Sequence, residues 1–395
     1  MKFSSLTERI AGDSVDAWEV HYAGLARKEA GEDIIVLSVG EEREEFTPVH
    51  IVDAAVASLR AGRHHYTPVN GNPDLRRAVA ERHFQLTGRR VGEFNCAIFA
   101  GAQNALFAVS QCLLEKGDEV IFPEPCYTTY PATFGASGAA PVSVPVKFEN
   151  GFQIDPDDIR NAVTPRTRAI VLNSPNNPVG AVYTREQYAA VVRMCVEKEI
   201  WLINDDVYQE LLDDSERANP LGLPDAGRVC ITVSSLSKSH RMTGWRLGWV
   251  IGPDALMGHL YNLAMCLSYG LPAFIQDAAL AALASGTATA REVRGKLDRR
   301  RRILLAQLGD VRGLNLFSAE GGMFVVFDIG ALPVSAREFA RRLLARHDVA
   351  ILPCDGFGVS GGCADLLRVS LCVDDARLVE ACGRIVDCVH SLEAP

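Results

Sequence analysis

The sequence lacks several features that would fix its compartment or its partners. Its first residues, "MKFSSLTERIAGD", contain neither the apolar core nor the small-residue cleavage site of a secretory signal. No apolar run approaches the length of a membrane-spanning helix. The 11 cysteines include no Cys-x-x-Cys pair, and their odd number suits reduced thiols better than a disulfide framework or a zinc site. We therefore predict a cytoplasmic protein that spans no membrane and binds no metal.

An excess of positive charge is also missing. The chain has 40 Lys and Arg against 49 Asp and Glu, for a net charge of −9. This balance argues against a general affinity for nucleic acid or for an anionic membrane. We interpret the basic run at 299–302 as the solvated face of a connecting helix. With 395 residues, 48% of them hydrophobic, the chain is long enough for two globular domains.

Short apolar runs alternate with helical patterns through the middle of the chain. Strands are predicted at 96–101, 119–125, 168–175, 200–208, 229–235 and 247–253, and helices after residue 101 and at 185–199. Apolar strands joined by helical crossovers predict an α/β fold with a mostly parallel sheet covered on both faces. We assign 49–285 to a large domain, and 1–48 together with 286–395 to a smaller α+β domain.

Polar residues follow four of the predicted strands, and such sheets bind ligands beyond the carboxyl ends of their strands. One cluster contains Lys238, with Arg246 eight residues later. A partly desolvated lysine near another cation has a lowered pKa and is a better nucleophile toward carbonyls. The planar fork of an arginine suits a phosphate. Together these residues predict a pyridoxal 5'-phosphate site.

The other strand ends offer the remaining groups that this cofactor requires. Asp205 could bind the pyridine nitrogen, and Asp206 is its competitor because adjacent strand residues face opposite sides. Asn177 or Tyr208 could donate to the phenolic oxygen. The segment "GAQN" opens a helix whose N-terminus could hold the phosphate, and Tyr127 could stack on the ring.

Several of these segments resemble one family of enzymes. "NSPNNPVG" (173–180), "DDVY" (205–208) and "SLSKSHRMTGWRLGW" (235–249) resemble the signatures of the fold-type I, class I/II aminotransferases. "YTPVNGNPDLR" (66–76), "GGMF" (321–324) and "LRVSL" (367–371) match the same family in the same order. The resemblance implies a mostly parallel central sheet of the seven-stranded type, a smaller α+β domain and bound pyridoxal 5'-phosphate.

The resemblance also implies a role for each matching position. Lys238 would form the Schiff base with the cofactor and carry protons, Asp205 would hold the pyridine nitrogen, and Tyr127 would stack on the ring. The remaining implied contacts are Asn177 and Tyr208 to the phenolic oxygen, Ala102, Gln103, Ser235 and Arg246 to the phosphate, and Arg368, Gly40 and Asn177 to the substrate α-carboxylate. Tyr66 would reach the phosphate of the neighbouring subunit, which implies a homodimer.

Two nearby residues are given no such role. We interpret Tyr130 as core packing and His240 as a loop histidine outside the chemistry. The stretch "GEEREEFTP" (40–48) departs from the family, which usually has Gly-Glu-Pro-Asp-Phe there. Its glutamates (Glu41, Glu42, Glu44 and Glu45) form either a solvated acidic loop or a binding site for a cationic substrate.

The predicted reaction is a ping-pong transfer of the α-amino group of an L-amino acid to a 2-oxo acid. "ERIAGDSVDAWEVHYAGLAR" (8–27) and "YGLPAFIQDAAL" (269–280) are similar to the arginine–pyruvate transaminases, which implies arginine or another cationic or polar donor and an acceptor such as pyruvate. A β-lyase or an oxidase on the same fold, or an aspartate or aromatic aminotransferase, is the alternative. A regulator's sensing module is a further one, but it would need a DNA-binding domain ahead of the matched region.

Overall fold

The computed structural model describes residues 1–11, 18–42, 45–213, 215–317 and 321–393. The strands, in chain order, are β1 (Ile35–Val36), β2 (Cys96–Phe99), β3 (Glu119–Glu124), β4 (Ala140–Pro145), β5 (Thr167–Asn173), β6 (Trp201–Asp205), β7 (Cys230–Ser235), β8 (Gly248–Ile251), β9 (Asn315–Phe317), β10 (Phe324–Asp328), β11 (Val349–Ala350), β12 (Leu352–Pro353) and β13 (Leu366–Ser370). The helices are α1 (Ser5–Ala11), α2 (Glu19–Glu29), α3 (Val49–Arg60), α4 (Pro73–Thr87), α5 (Ala102–Leu113), α6 (Tyr130–Gly135), α7 (Pro156–Ala162), α8 (Arg185–Lys198), α9 (Asp254–Leu267), α10 (Ala273–Ala284), α11 (Ala288–Leu308), α12 (Ala336–His347) and α13 (Asp375–Glu393).

The central sheet has seven strands in the order β2-β8-β7-β6-β5-β3-β4. Its strands run parallel except β8, which is antiparallel to both β2 and β7. This confirms the predicted α/β fold. The prediction missed β4, which pairs with β3 at the edge of the sheet and begins and ends near prolines (Pro141 and Pro145). Edge strands tolerate proline because one side of their backbone needs no partner, so this strand lacks the usual sequence pattern.

Successive residues of the inner strands pack on opposite faces of the sheet. Ile203 and Ile231 contact the core formed with α5, α6 and α9, whereas Leu202 and Cys230 belong to the core formed with α4, α8 and α10. Both faces are therefore buried, which explains why these strands are continuously apolar in sequence. Because of the same alternation, successive polar residues at a strand end lie on opposite faces of the sheet.

A second group of strands lies beside the sheet. β12, β13, β10 and β9 form an antiparallel sheet, and β1 pairs with β11 in parallel. One apolar core joins this sheet to α11, α12 and α13, and it includes Ile34, Ile35 and Leu37 from the N-terminal part of the chain. This packing agrees with an N-terminal segment that joins the C-terminal part, while the domain boundaries at 48/49 and 285/286 stay predictions.

The structure also bears on the cysteines and on the search for membrane-spanning helices. The cysteines, all of which lie in the described ranges, are free thiols. Across those same ranges, no helix combines the length and apolar character that crossing a bilayer requires.

Candidate active site

A cavity of about 190 Å³ lies at the carboxyl ends of β5, β6 and β7, where they meet β10 and β13. Side chains from the two sheets converge there because parallel strands end on the same edge. The predicted site residues that line it are Gly40, Ala102, Gln103, Tyr127, Asn177, Asp205, Tyr208, Ser235, Lys238, Arg246 and Arg368. Tyr66 does not share this cavity within the described chain; it is 89% exposed, and its ring contacts that of Tyr269 at 5.4 Å.

Lys238 is half-buried in the wall of the cavity, and its Nζ donates to the carbonyl oxygen of Gly40 at 2.8 Å. Burial lowers the pKa of Lys238 from its ordinary value; Glu41 opposes this effect, and the positive charges of Arg368 and Arg246 add to it. A lysine with a lowered pKa supplies more of the neutral amine, which is the form that acts as a nucleophile or a base.

Asp205 is buried at the end of β6 on the face covered by α6. The hydroxyl of Tyr130 donates to its Oδ2 at 2.6 Å, and the backbone N–H of Val207 lies 3.4 Å from its Oδ1. Burial raises the pKa of Asp205 to about 6, although the hydrogen bonds from Tyr130 and Val207 and the charge of Lys238 act to lower it. Asp205 therefore remains largely ionised at neutral pH.

Tyr130 packs in the core, as predicted, and its hydroxyl also has a polar partner. The ring is buried between Tyr127 and Phe134, as expected, but its hydroxyl is a partner of the Asp205 carboxylate. The hydroxyl of a buried tyrosine usually forms a hydrogen bond, so the predicted burial of Tyr130 also implied a polar partner for it.

Asp206 faces the other side of the sheet. Its carboxylate accepts hydrogen bonds from Asn204 Nδ2 at 3.2 Å and from Asn219 Nδ2 at 2.9 Å. Burial raises its pKa to about 8. Among the described residues, the cavity lining includes Asp205 and not Asp206. The alternation along β6 thus directs one carboxylate to the cavity and the other to the opposite core.

Arg368, in the middle of β13, is 1% exposed. Its Nη1 donates to Asn177 Oδ1 at 2.7 Å and its Nη2 to the carbonyl oxygen of Ser38 at 2.5 Å. The guanidinium lies 4.0 Å from the ring centroid of Phe324 and 4.8 Å from that of Phe357.

The charge of this arginine is poorly compensated. Burial lowers the pKa of Arg368, and its buried Nε has no hydrogen-bond partner among the described residues. A buried cation without a paired carboxylate is costly. An entering carboxylate can accept a hydrogen bond from this Nε and neutralise the charge.

The start of α5 and the loop after β7 form a pocket suited to an anion. Arg246 adopts a left-handed backbone conformation (φ 51°), and its Nη1 donates to the carbonyl oxygen of Thr243 at 2.8 Å. A Cβ on Gly101 would lie 2.6 Å from Arg246 Nη2, so only glycine lets the guanidinium lie over the start of the helix. The free N–H groups and the dipole of the helix N-terminus favour an anion at this point.

The side chains of Gln103 and Ser235 border the same pocket and already form hydrogen bonds within the protein. Gln103 donates to Thr133 Oγ1 at 2.7 Å and accepts from Thr129 Oγ1 at 2.9 Å, and Ser235 Oγ accepts from the N–H of Ser237 at 3.3 Å. The backbone N–H groups in the first turn of α5, including those of Ala102 and Gln103, have no intrahelical acceptor. These groups are the available donors for an anion.

Asn177 links Arg368 to Tyr208 across the cavity. Its Nδ2 donates to Tyr208 Oη at 3.4 Å, and its backbone N–H donates to Asn173 Oδ1 at 2.8 Å. Asn173 Nδ2 in turn donates to the carbonyl oxygen of Asp205 at 2.9 Å. The loop after β5 is thereby fixed against the end of β6, and burial raises the pKa of Tyr208.

His240 is buried beside Lys238 in sequence, but it lies apart from the described lining of the cavity. Its Nδ1 lies 2.8 Å from Ser239 Oγ, and burial lowers its pKa. Two residues that the sequence analysis assigned no role, Trp18 and Thr243, do line the cavity. Thr243 lies between Lys238 and Arg246 in the chain, so its proximity to them could have been inferred; Trp18 offered no such signal.

The acidic loop borders an open vestibule of about 740 Å³ that shares Gly40, Ser237, Lys238 and Thr243 with the cavity. Glu42 is not solvated, which corrects one of the two interpretations. Its carboxylate pairs with Arg241 at 3.0 Å and Arg300 at 2.7 Å, and its side chain is 4% exposed. Glu45 pairs with Lys296, and Glu44 lies outside the described residues.

The chain is similar in sequence and in structure to a family of known enzymes. Residues 32–385 match the sequence model of the family described as aminotransferase class I and II. The chain is 48% identical over 392 residues to arginine–pyruvate transaminase AruH of Pseudomonas aeruginosa, with 99% of each chain covered. It is 34% identical to a probable aspartate/prephenate aminotransferase of Aquifex aeolicus, over 90% of this chain and 91% of the relative. The structure of Thermus thermophilus aspartate aminotransferase with maleate superposes with a TM-score of 0.92 at 31% identity, covering 98% of this chain and all of the other (100%).

Proposed function

Because the chain belongs to the class I and II aminotransferases, we propose that it is a pyridoxal-phosphate-dependent enzyme that transfers the α-amino group of arginine to a 2-oxo acid such as pyruvate. One observation carries the proposal. A single cavity joins a lysine of lowered pKa, a buried carboxylate and a buried guanidinium whose Nε has no described partner.

The residues present fit the cofactor. Asp205 would hold the pyridine nitrogen, since a carboxylate ionised at neutral pH favours a protonated ring, and Tyr127 would pack on the ring face. The other proposed contacts are Asn177 and Tyr208 to the phenolic oxygen, Ala102, Gln103, Ser235 and Arg246 to the phosphate, and Lys238 to the aldehyde. When bound, pyridoxal phosphate supplies an electron sink for the pair left on the substrate Cα.

The protein's own groups bind the substrate and move its protons. Arg368, with Asn177 and Gly40, receives the α-carboxylate and so fixes one end of any amino acid. Lys238 acts at Cα as the base that removes the proton and returns it. Positioned proton transfer of this kind typically contributes about 10²–10⁴-fold to the rate. The lowered pKa of Lys238 supports this role, because a base must be neutral at the working pH.

Arginine as the donor is supported by the 48% identity to an arginine–pyruvate transaminase and by the acidic loop at the vestibule. A homodimer, in which Tyr66 reaches the neighbouring cavity, is supported by several exposed apolar side chains, including Tyr66 and Tyr269, whose rings contact each other. Tyr66, Tyr269, Val49 and Val52 are exposed by 89%, 50%, 73% and 38%. The exposed pair of Tyr66 and Tyr269 is the kind of apolar surface that an interface covers. The predicted cytoplasmic location stays part of the proposal.

The test is a panel of amino acids offered to the purified holoenzyme with pyruvate or 2-oxoglutarate, with both products identified. We expect arginine and pyruvate to give alanine and the 2-oxo acid of arginine in equal amounts. Release of ammonia, or oxygen consumption without an acceptor, would show a β-lyase or an oxidase instead. A tenfold higher kcat/KM for aspartate or an aromatic amino acid than for arginine would contradict the proposed donor.

A further inference from the structure

A carboxylate of the central sheet is buried against a loop of the antiparallel sheet. Glu124 ends β3 and is 2% exposed, and the loop at 357–362 lies between β12 and β13. Resting on the proposed function, we propose that Glu124 is a positioning residue for the substrate α-carboxylate. It holds this loop so that Phe357 lies against the guanidinium of Arg368, and it touches no substrate itself.

The hydrogen bonds of the Glu124 carboxylate all lead to this loop. Its Oε2 accepts from the backbone N–H of Val359 at 2.9 Å and from that of Ser360 at 3.1 Å, and its Oε1 accepts from Ser360 Oγ. Within the described ranges, every donor to this carboxylate belongs to one of those two residues. A carboxylate accepts stronger hydrogen bonds than a neutral group does, so the loop is firmly held.

Gly358 allows the loop to lie this close to the carboxylate. A Cβ on Gly358 would lie 2.2 Å from Glu124 Cδ, although the backbone of Gly358 is not left-handed. An alanine there is therefore opposed by the carboxylate and not by the backbone conformation. The backbone N–H of Cys126 also donates to the carbonyl oxygen of Phe357 at 2.7 Å. The loop is thus fixed at two points to the segment that leads to Tyr127.

Phe357 connects the loop to the substrate site. Its side chain is fully buried, and its ring centroid lies 4.8 Å from the guanidinium carbon of Arg368. The aromatic face attracts the cation and restricts how the guanidinium can turn. Arg368 Nε has no hydrogen-bond partner in the described part of the chain. A guanidinium held in one orientation keeps this Nε available to an entering carboxylate.

Glu124→Gln tests this role, because the amide keeps the size of the carboxylate but replaces an acceptor with a donor. The released loop should weaken the binding of every substrate that carries an α-carboxylate. We expect kcat/KM to fall by about 5- to 50-fold for arginine and by the same factor for pyruvate. Both kcat values should stay within about threefold, because binding is lost equally in the ground state and the transition state.

Hydroxylamine provides a readout that does not involve Arg368, since it attacks the cofactor aldehyde and has no carboxylate. Its reaction with the variant holoenzyme, followed by absorbance, should keep the wild-type rate. Glu119→Gln is the matched control. Glu119 begins the same strand, is 6% exposed, and accepts hydrogen bonds from Thr164 and Arg166. This control should lower the melting temperature without raising KM.

Gly358→Ala disturbs the same contact while keeping the glutamate. Alone it should raise KM for arginine and pyruvate as Glu124→Gln does, because the added Cβ displaces the loop. Combined with Glu124→Ala, which makes room for the Cβ, it should add less than about twofold to the effect of Glu124→Ala alone. Phe357→Leu should also raise both KM values, because the guanidinium loses an aromatic face.

Three results would overturn this inference and leave the proposed function intact. One is a Glu124→Gln enzyme with a lower melting temperature but unchanged KM values. The others are an equally slowed reaction with hydroxylamine, and additive effects of Gly358→Ala and Glu124→Ala. A wild-type holoenzyme that transaminates no amino acid with pyruvate or 2-oxoglutarate would overturn both the inference and the proposed function.

Discussion

The carboxyl edge of the central sheet and the acidic loop at 40–48 both concentrate charged residues, but they handle charge in opposite ways. At the sheet edge, Asp205 and Arg368 are buried, and neither forms an ion pair with an oppositely charged side chain among the described residues. In the loop, Glu42 and Glu45 are matched by arginine and lysine side chains. A buried charge without an oppositely charged partner makes folding less favourable, and it is typical of a site where a ligand neutralises it. A charge that is paired within the protein needs no ligand to neutralise it.

This difference ranks the expected effects of substitution. Electrostatic interactions are stronger where water is excluded, so changes at the sheet edge should affect catalysis most. Changes in the loop should affect substrate choice or stability instead. Single substitutions at these positions test that ranking, and Lys238 should show the largest effect on turnover.

Lys238→Ala should abolish turnover, with a loss of at least about 10⁴-fold in kcat, because the base and the Schiff-base amine are removed together. Borohydride reduction of the wild-type holoenzyme, followed by peptide mapping, should locate the cofactor on Lys238. Lys198→Ala, at the exposed end of α8, is the control and should keep full activity. Mapping of the cofactor to another lysine would refute the assignment.

Asp205→Ala should lower kcat by about 10²–10⁴-fold, because the carboxylate that keeps the ring nitrogen protonated is lost. Asp206→Ala should change kcat little but destabilise the protein by about 1–3 kcal/mol, because Asn204 and Asn219 lose their buried acceptor. Steady-state kinetics and denaturant melts separate the two effects. The reverse ranking of the two kcat values would show that Asp206 is the functional carboxylate.

Tyr130→Phe should have a smaller effect, about 2- to 10-fold on kcat, since it removes one hydrogen bond to a carboxylate. That hydrogen bond lowers the pKa of Asp205, which burial has raised to about 6. Without it the pKa rises further, so Asp205 becomes protonated at higher pH. The acidic limb of the kcat profile should therefore move to higher pH. Phe134→Leu, a packing change on the same helix, should leave the limb in place.

These residues also show what could be predicted from the sequence. The parallel strands were predictable because a sheet buried on both faces leaves continuous apolar runs. Strand alternation made Asp205 and Asp206 alternatives, and the resemblance to the family favoured Asp205. The hydrogen bond of Tyr130 to Asp205 joins residues 75 positions apart, so it depends on how α6 packs on the sheet. The burial of Glu42 in ion pairs depends on Arg241 and Arg300, which lie 199 and 258 residues away from it. Contacts between residues this far apart leave no local sequence pattern from which they could be predicted.

Glu42→Gln should have the smallest effect on turnover, with kcat for arginine within about threefold of wild type. Its effect should fall on stability, because two buried guanidinium groups lose a shared carboxylate. Arg241 keeps Glu292 and Arg300 keeps Asp375, so the cost should be about 1–3 kcal/mol rather than that of a fully stranded charge. Denaturant unfolding measures this loss, and Glu45→Gln, in a more exposed pair, should cost less. If Glu42→Gln leaves stability unchanged but removes the preference for arginine over citrulline, then Glu42 belongs to the substrate site, and the contrast between matched and unmatched charge fails at this loop.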